Sequence, residues 1–255
     1  MEVLVCVKRV PATGARITLT DDERAIDTRF LGFTVSPHEE CAVEEGVRIV
    51  EAHGGRCTVL TLGSEESVEQ LRSAVSMGAG RAILLETGGE EWDPVATASA
   101  IADAVRAEEG AGFDVVLFGN EAADTCDYQV GVRVAHALGM PCVTGVKSLE
   151  IADGAATVRR EAAAGGWEIF EVALPAVFTV KEGINLPRYA SVPGRLRAKQ
   201  AQIERHTPAP VAGGLERIRL LLPPEQEGHV EILGTGPDAA PAVVELLQRI
   251  GVVGR

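Results

Sequence analysis

Short apolar runs alternate with stretches of helical spacing through the first 140 residues, the habit of a parallel sheet with helices on its faces. Val3–Val7, Thr58–Leu62, Ala82–Leu85 and Val115–Phe118 read as strands. Between them Glu39–Ala52 and Ser67–Met77 have helical periodicity, and Ser67 with Gln70 three residues on has the form of a capping box. Asp93-Pro94 predicts a third helix start, running to about Arg106, because proline is tolerated at the first helical position. A loop of small and polar residues follows Gly119, and Gln129–Leu138 reads as a further helix.

Beyond Val143 the pattern changes. Val146–Ile151 and Thr157–Glu161 flank Asp153-Gly154, a pair suited to a tight two-residue hairpin turn. Trp167–Val172 and Pro175–Val180 add strands. Pro187–Pro210 is punctuated by prolines without a sustained period and predicts an extended arm rather than a packed element. Glu216–Ile232 lacks clear periodicity, and Ala239–Ile250 predicts a last helix stopped by Gly251. The expected fold is α/β: a mainly parallel open sheet with helices on both faces, an added antiparallel hairpin and an extended C-terminal arm. The expected divisions are residues 1–186, 187–210 and 211–255.

Composition narrows the function. No stretch approaches the roughly 20 apolar residues of a membrane span, and Met1–Val10 reads as a strand rather than a signal peptide, so the expected location is the cytoplasm. The five cysteines are scattered without a CxxC, which argues against a disulfide framework or a zinc cluster. A net charge of −13 disfavours nucleic acid as a partner. Yet Arg188, Arg195, Arg197, Lys199 and Arg205 lie close together with one acid, Glu204, so this segment opposes the sign of the body and suits an acidic surface or a phosphate.

GxGxxG, Walker A, GxSxG and HExxH sequences are absent. The five histidines, His38, His53, His136, His206 and His229, never stand at metal-ligand spacing, so no metal site is expected. The strongest local constellation is Gly119-Asn120-Glu121-Ala122-Ala123-Asp124-Thr125-Cys126-Asp127-Tyr128-Gln129-Val130-Gly131, which follows a strand and opens a helix. A helix N-terminus presents unpaired N–H groups and about half a positive charge, a suitable seat for a phosphate, with Glu121, Asp124 or Asp127 available to ribose or adenine. The same residues also suit a solvated loop capped by Asp127. Two other loops, Cys6-Val7-Lys8-Arg9-Val10-Pro11 and Ser36-Pro37-His38-Glu39, should lie at the same sheet edge, as a nucleotide crevice requires.

Val7-Lys8-Arg9-Val10-Pro11, Ala42-Val43-Glu44-Glu45, Ser76-Met77-Gly78-Ala79 and Pro187-Arg188-Tyr189-Ala190-Ser191 resemble, in order, motifs of electron transfer flavoprotein beta subunits, of the adenine nucleotide alpha hydrolase-like superfamily. The likeness runs to about Lys199 and returns at Val243–Val253. It implies an electron carrier rather than an enzyme: a heterodimer with an alpha subunit that carries redox-active FAD, and a second nucleotide in the beta subunit, AMP in most members and FAD in electron-bifurcating ones, where NADH reduces it. By position the pocket is Cys6, Ser36, Pro37, His38, Glu39, Leu62 and Gly119 to Gly131. The family's recognition loop for flavin dehydrogenases falls on Val192-Pro193-Gly194-Arg195-Leu196-Arg197-Ala198-Lys199, with Val192 or Leu196 as the anchor and the cations steering the encounter. Ser36 replaces the family's usual Asn, Leu186 its usual Glu, and Gln129-Val130-Gly131 is closer to the bifurcating pattern than to the AMP pattern. The fold alone also permits a regulatory nucleotide-binding domain without a redox role.

Overall fold

In the first strand, β1 (Glu2–Cys6), Val3 and Val5 enter one apolar cluster while Leu4 and Cys6 enter another. This alternation makes β1 the centre of a three-layer molecule, a strand with water on neither face. The structure, a computed structural model, describes residues 1–108, 110, 112–224 and 230–254. His229 lies outside the described residues.

On one side β1 pairs in parallel with β4 (Arg56–Gly63), followed by β5 (Arg81–Glu86) and β11 (Ile203–His206); on the other it pairs with β6 (Val115–Gly119), then β10 (Ala176–Val180) and β7 (Cys142–Ala152), also parallel. β8 (Ala155–Glu161) and β9 (Trp167–Ala173) continue the sheet antiparallel. Asp153 and Gly154 make the β7–β8 turn with φ of 50° and 78°, as the sequence predicts for a tight hairpin. A separate antiparallel pair, β2 (Arg9–Pro11) with β3 (Phe33–Val35), follows β1. The helices α1 (Pro37–His53) and α2 (Val68–Met77) cover the Val3/Val5 face, and α3 (Pro94–Arg106) and α4 (Val130–Leu138) the Leu4/Cys6 face. The chain places β4 and β5 on one side of β1 and β6 on the other, so the strand order reverses at β1/β6, where open α/β sheets bind ligands.

Two helix starts behave differently. Asp93 caps α3 through bonds from the Val95 and Ala96 N–H groups, both 3.1 Å. Ser67 does not form the expected capping box: it already belongs to a 3₁₀ turn, Glu65–Ser67, that runs into α2, and its side chain makes no cap bond.

The segment 187–210 is more structured than its prolines suggest. It holds α5 (Val192–Gln200), packed on α2, and β11, which adds to β5. The helix escapes a periodicity test because its buried positions are Gly194 and Ala198, too small to make an apolar stripe. The chain forms two compact units, Met1–Arg219 and Leu220–Arg255. The second contains a 3₁₀ turn, Gly236–Ala239, and α6 (Ala240–Arg249), with Gly251 beyond it at φ 77°. Among the described residues no helix is long and apolar enough to cross a membrane.

Candidate functional site

At the carboxyl end of β1 the backbone leaves the sheet, and the Lys8 N–H donates to Glu39 Oε2 at 2.8 Å. Glu39 stands in the first turn of α1, whose first helical residue is Pro37 and whose N-cap, Ser36, makes no side-chain cap bond. Ser36 Oγ instead donates to the Glu121 carbonyl at 3.4 Å. The loop after β6 is tied back once more, where Lys8 Nζ meets Asp124 Oδ2 at 2.7 Å, and His38 Nδ1 lies 3.9 Å from Glu121 Oε1, beyond hydrogen-bond reach. Gly119 is required here by contact, since a Cβ would come within 2.6 Å of Glu39 Cγ and 3.1 Å of the Glu39 backbone nitrogen. The three loops expected at one sheet edge therefore do converge at the switch point. Leu62, at the end of β4, is partly buried and packs against the Leu4/Cys6 cluster.

Within residues 119–131 the loop folds on itself. The Cys126 N–H donates to the Ala122 carbonyl at 3.0 Å, and Cys126 and Tyr128 hold positive φ values of 50° and 55°. Ala123, Asp124, Thr125, Cys126 and Tyr128 are exposed, and Asp127 is half-buried. Asp127 does not cap α4: the N-cap is Gln129, whose Oε1 accepts from Arg133 Nε and Nη2 at 3.1 and 2.9 Å rather than from the helix amides. No acid stands in the first turn of α4, so its N-terminal amides keep their attraction for an anion. At Gly131 a Cβ would strike Thr179 Cγ2 at 2.8 Å, which brings the start of α4 down onto β10.

Burial sets the electrostatics. It pushes the Glu39 carboxyl up to about 8, against the Lys8 N–H bond, which opposes the rise. Burial, with the nearby Glu39, raises the Cys6 thiol. Burial also lowers His38, and His38 Nδ1 is a buried nitrogen without a hydrogen-bond partner. Glu121 raises the Tyr128 hydroxyl through a hydrogen bond.

Beside this crevice lies a cleft of about 370 Å³, lined by Asn120, Tyr128, Thr144, Gly145, Thr179 and Lys181 among others. Asn120 Oδ1 organises its floor, accepting from the Gly145 N–H and from Thr179 Oγ1, each at 2.9 Å. Sequence reasoning missed Thr144, Gly145, Thr179 and Lys181. The available signal was Thr179 as the polar residue inside the apolar run of β10, with Lys181 just past the strand's last residue, Val180, a strand end of the same kind as those of β1 and β6.

The predicted partner residues are on α5. Val192 and Leu196 are 72% and 57% exposed, so neither is needed for the core, and Arg195, Arg197 and Lys199 are exposed beside them. The other two cations of that segment are engaged internally, Arg188 with Glu44 and Glu51 and Arg205 with Glu65.

A family model described as "Electron transfer flavoprotein domain" matches residues 26–211. The chain is 34% identical to electron transfer flavoprotein subunit beta of Syntrophomonas wolfei, over 91% of this chain and 90% of that one. It is 31% identical to the Bacillus subtilis subunit beta, over 97% and 98%, and 28% identical to that of Dictyostelium discoideum, over 99% of each. With a domain match over most of its length and beta-subunit relatives aligned nearly end to end, this chain belongs to the electron transfer flavoprotein family.

Proposed function

We propose that the chain is the beta subunit of an electron-carrying heterodimer, paired with an electron transfer flavoprotein alpha subunit that holds FAD and exchanges electrons with flavin dehydrogenases. In this reading the crevice at the β1/β6 switch point holds an adenine nucleotide, AMP. Cys6, Ser36, Pro37, His38, Glu39, Leu62 and residues 119–131 form its walls.

The residues present fit such a nucleotide, and their convergence is the observation that carries the reading. The α4 amides, uncapped by any side chain, suit a phosphate. The unpartnered His38 Nδ1 offers a buried polar contact. Gly119 and Gly131 let α1 and α4 start against the sheet without a Cβ between them. FAD, when bound, supplies the redox chemistry. The task of this chain is to position nucleotide and partner and to shield the crevice. Its cysteines are free, which suits the reducing cytoplasm.

One observation favours a second reading. The cleft of about 370 Å³ adjoins the start of α4, leaving room beside the phosphate seat for more than AMP. In that reading FAD occupies the pocket, NADH reduces it, and the subunit is part of a bifurcating flavoprotein. Co-purification with the alpha subunit, followed by denaturation and a count of released nucleotides, separates the readings. One FAD with one AMP supports the simple carrier, two FAD the bifurcating form, and no flavin removes both.

A further inference from the structure

α5 has nine residues, too few for a helix to persist alone in water. It is held at both ends. Just before it, Arg188 reaches α1 with its whole donor fork. The Arg188 N–H and Nε share Glu44 Oε2 at 3.1 and 2.8 Å, and Nη2 reaches Glu44 Oε1 at 3.1 Å. Nη1 and Nη2 also reach Glu51 Oε1 and Oε2 at 2.6 and 2.9 Å. Glu44 is buried, so its charge needs such a partner. Asn185 adds bonds to the Cys41 carbonyl at 3.0 Å and to Glu45 Oε2 at 2.8 Å. At the far end, Arg72 Nη1 of α2 donates to the carbonyls of Ala198 and Lys199, groups that a helix end leaves without partners. Between these pins α5 lies so close to α2 that a Cβ at Gly194 would come within 2.2 Å of the Ser76 carbonyl oxygen.

We infer that Arg188 and Arg72 are positioning residues that fix α5 in one pose for docking a flavin dehydrogenase whose contact surface is apolar at its centre and acidic around it. The inference rests on the reading of α5 as the partner-binding element. Val192 and Leu196, four residues apart, share the outward side of the helix and present the apolar contact, with Arg195, Arg197 and Lys199 as the basic surround. Two clamps that order this helix before the encounter remove the entropy loss that binding would otherwise carry. A lysine at position 188 keeps the charge but cannot make the planar, two-carboxylate contact.

The test uses the alpha–beta heterodimer and a purified flavin dehydrogenase selected for reducing the wild-type form. Leu196→Ala marks the docking face, and Arg188→Lys and Arg72→Lys loosen the clamps. Each clamp variant is expected to raise the dehydrogenase's apparent KM for the heterodimer about tenfold, with kcat and FAD content unchanged. If Leu196→Ala raises KM and neither clamp variant does, the positioning role is wrong while α5 remains the docking face. If Leu196→Ala has no effect, the docking reading fails and the inference with it. Should Arg188→Lys lose its FAD, Arg72→Lys carries the same test from the other end of the helix.

Discussion

The Glu39 carboxyl is a buried group whose titration should change the stability of this fold around neutral pH, and Glu39→Gln isolates it. Its ordinary value of 4.5 is pushed up to about 8, chiefly by burial. The groups around it are the Lys8 N–H, which it accepts from, the Lys8 ammonium, Asp124 and the Cys6 thiol. Because the folded value exceeds the unfolded one, the folded state holds more protons between pH 4.5 and 8, and stability falls as pH rises through that window. At 1.36 kcal/mol per pH unit the full displacement amounts to about 5 kcal/mol, of which about 4 kcal/mol falls between pH 5 and 9. A glutamine at 39 keeps an oxygen to accept from Lys8 but cannot ionise. Urea unfolding of both proteins at pH 5, 7 and 9 should therefore show Glu39→Gln gaining on the parent by about 4 kcal/mol over that range. Burial, the larger of the two causes that raise the Cys6 thiol, is unchanged by the substitution and keeps that thiol protonated in both folded proteins over this range, so it drops out of the comparison. Parallel stability curves would mean that the buried carboxylate keeps its charge in the folded chain, and the reasoning would be refuted.

Three further substitutions probe neighbouring contacts. Gly119→Ala should cost about 1–3 kcal/mol by overpacking against Glu39 and should loosen α1 from β6, seen as a lower melting temperature with reduced nucleotide retention. Thr179→Val removes the donor to Asn120 Oδ1 on the cleft floor, and urea unfolding should register a loss of about 1–2 kcal/mol. Ser191→Ala deletes the cap bond from the Gly194 N–H, 3.1 Å long, and should cost about 1 kcal/mol, with faster amide exchange confined to α5.

The parallel half of the fold was legible because β1, β4, β5 and β6 are buried on both faces and so read as apolar runs, interrupted only by Thr58 and Thr61 in β4. The β7–β8 hairpin was legible from Asp153-Gly154, a pair that tolerates the positive φ of a tight turn. What escaped depends on tertiary contact. β11 is four residues long and exists through its pairing with β5, and α5 hides its packing behind glycine and alanine. β2 and β3 are three residues each, below the length at which alternation can be seen. At the site, the crevice loops could be placed by the strand-end rule, but the bonds from Gly145 and Thr179 to Asn120 join residues 25 and 59 positions away in sequence.

The topology also separates two tasks. The crevice lies at the carboxyl end of the strands, where β1 and β6 finish. α2 starts at that edge and runs back, so its last turn, which carries Ser76 against α5, lies at the amino edge where β5 begins. β4, which spans the sheet between these edges, has eight residues, or about 25 Å at the usual strand rise. On the proposed function, a dehydrogenase gripped at α5 would be held well away from a nucleotide in the crevice, and α5 would serve as a tether while electrons pass through the alpha subunit's flavin. Substitutions should then sort into two classes. Those on α5 or its clamps change the dehydrogenase KM without altering bound nucleotide, and those at Gly119 or Gly131 change nucleotide content without altering KM. Nucleotide counts and KM measured on both sets decide the matter, because a crevice variant that also raised KM would mean that docking and nucleotide binding share one surface.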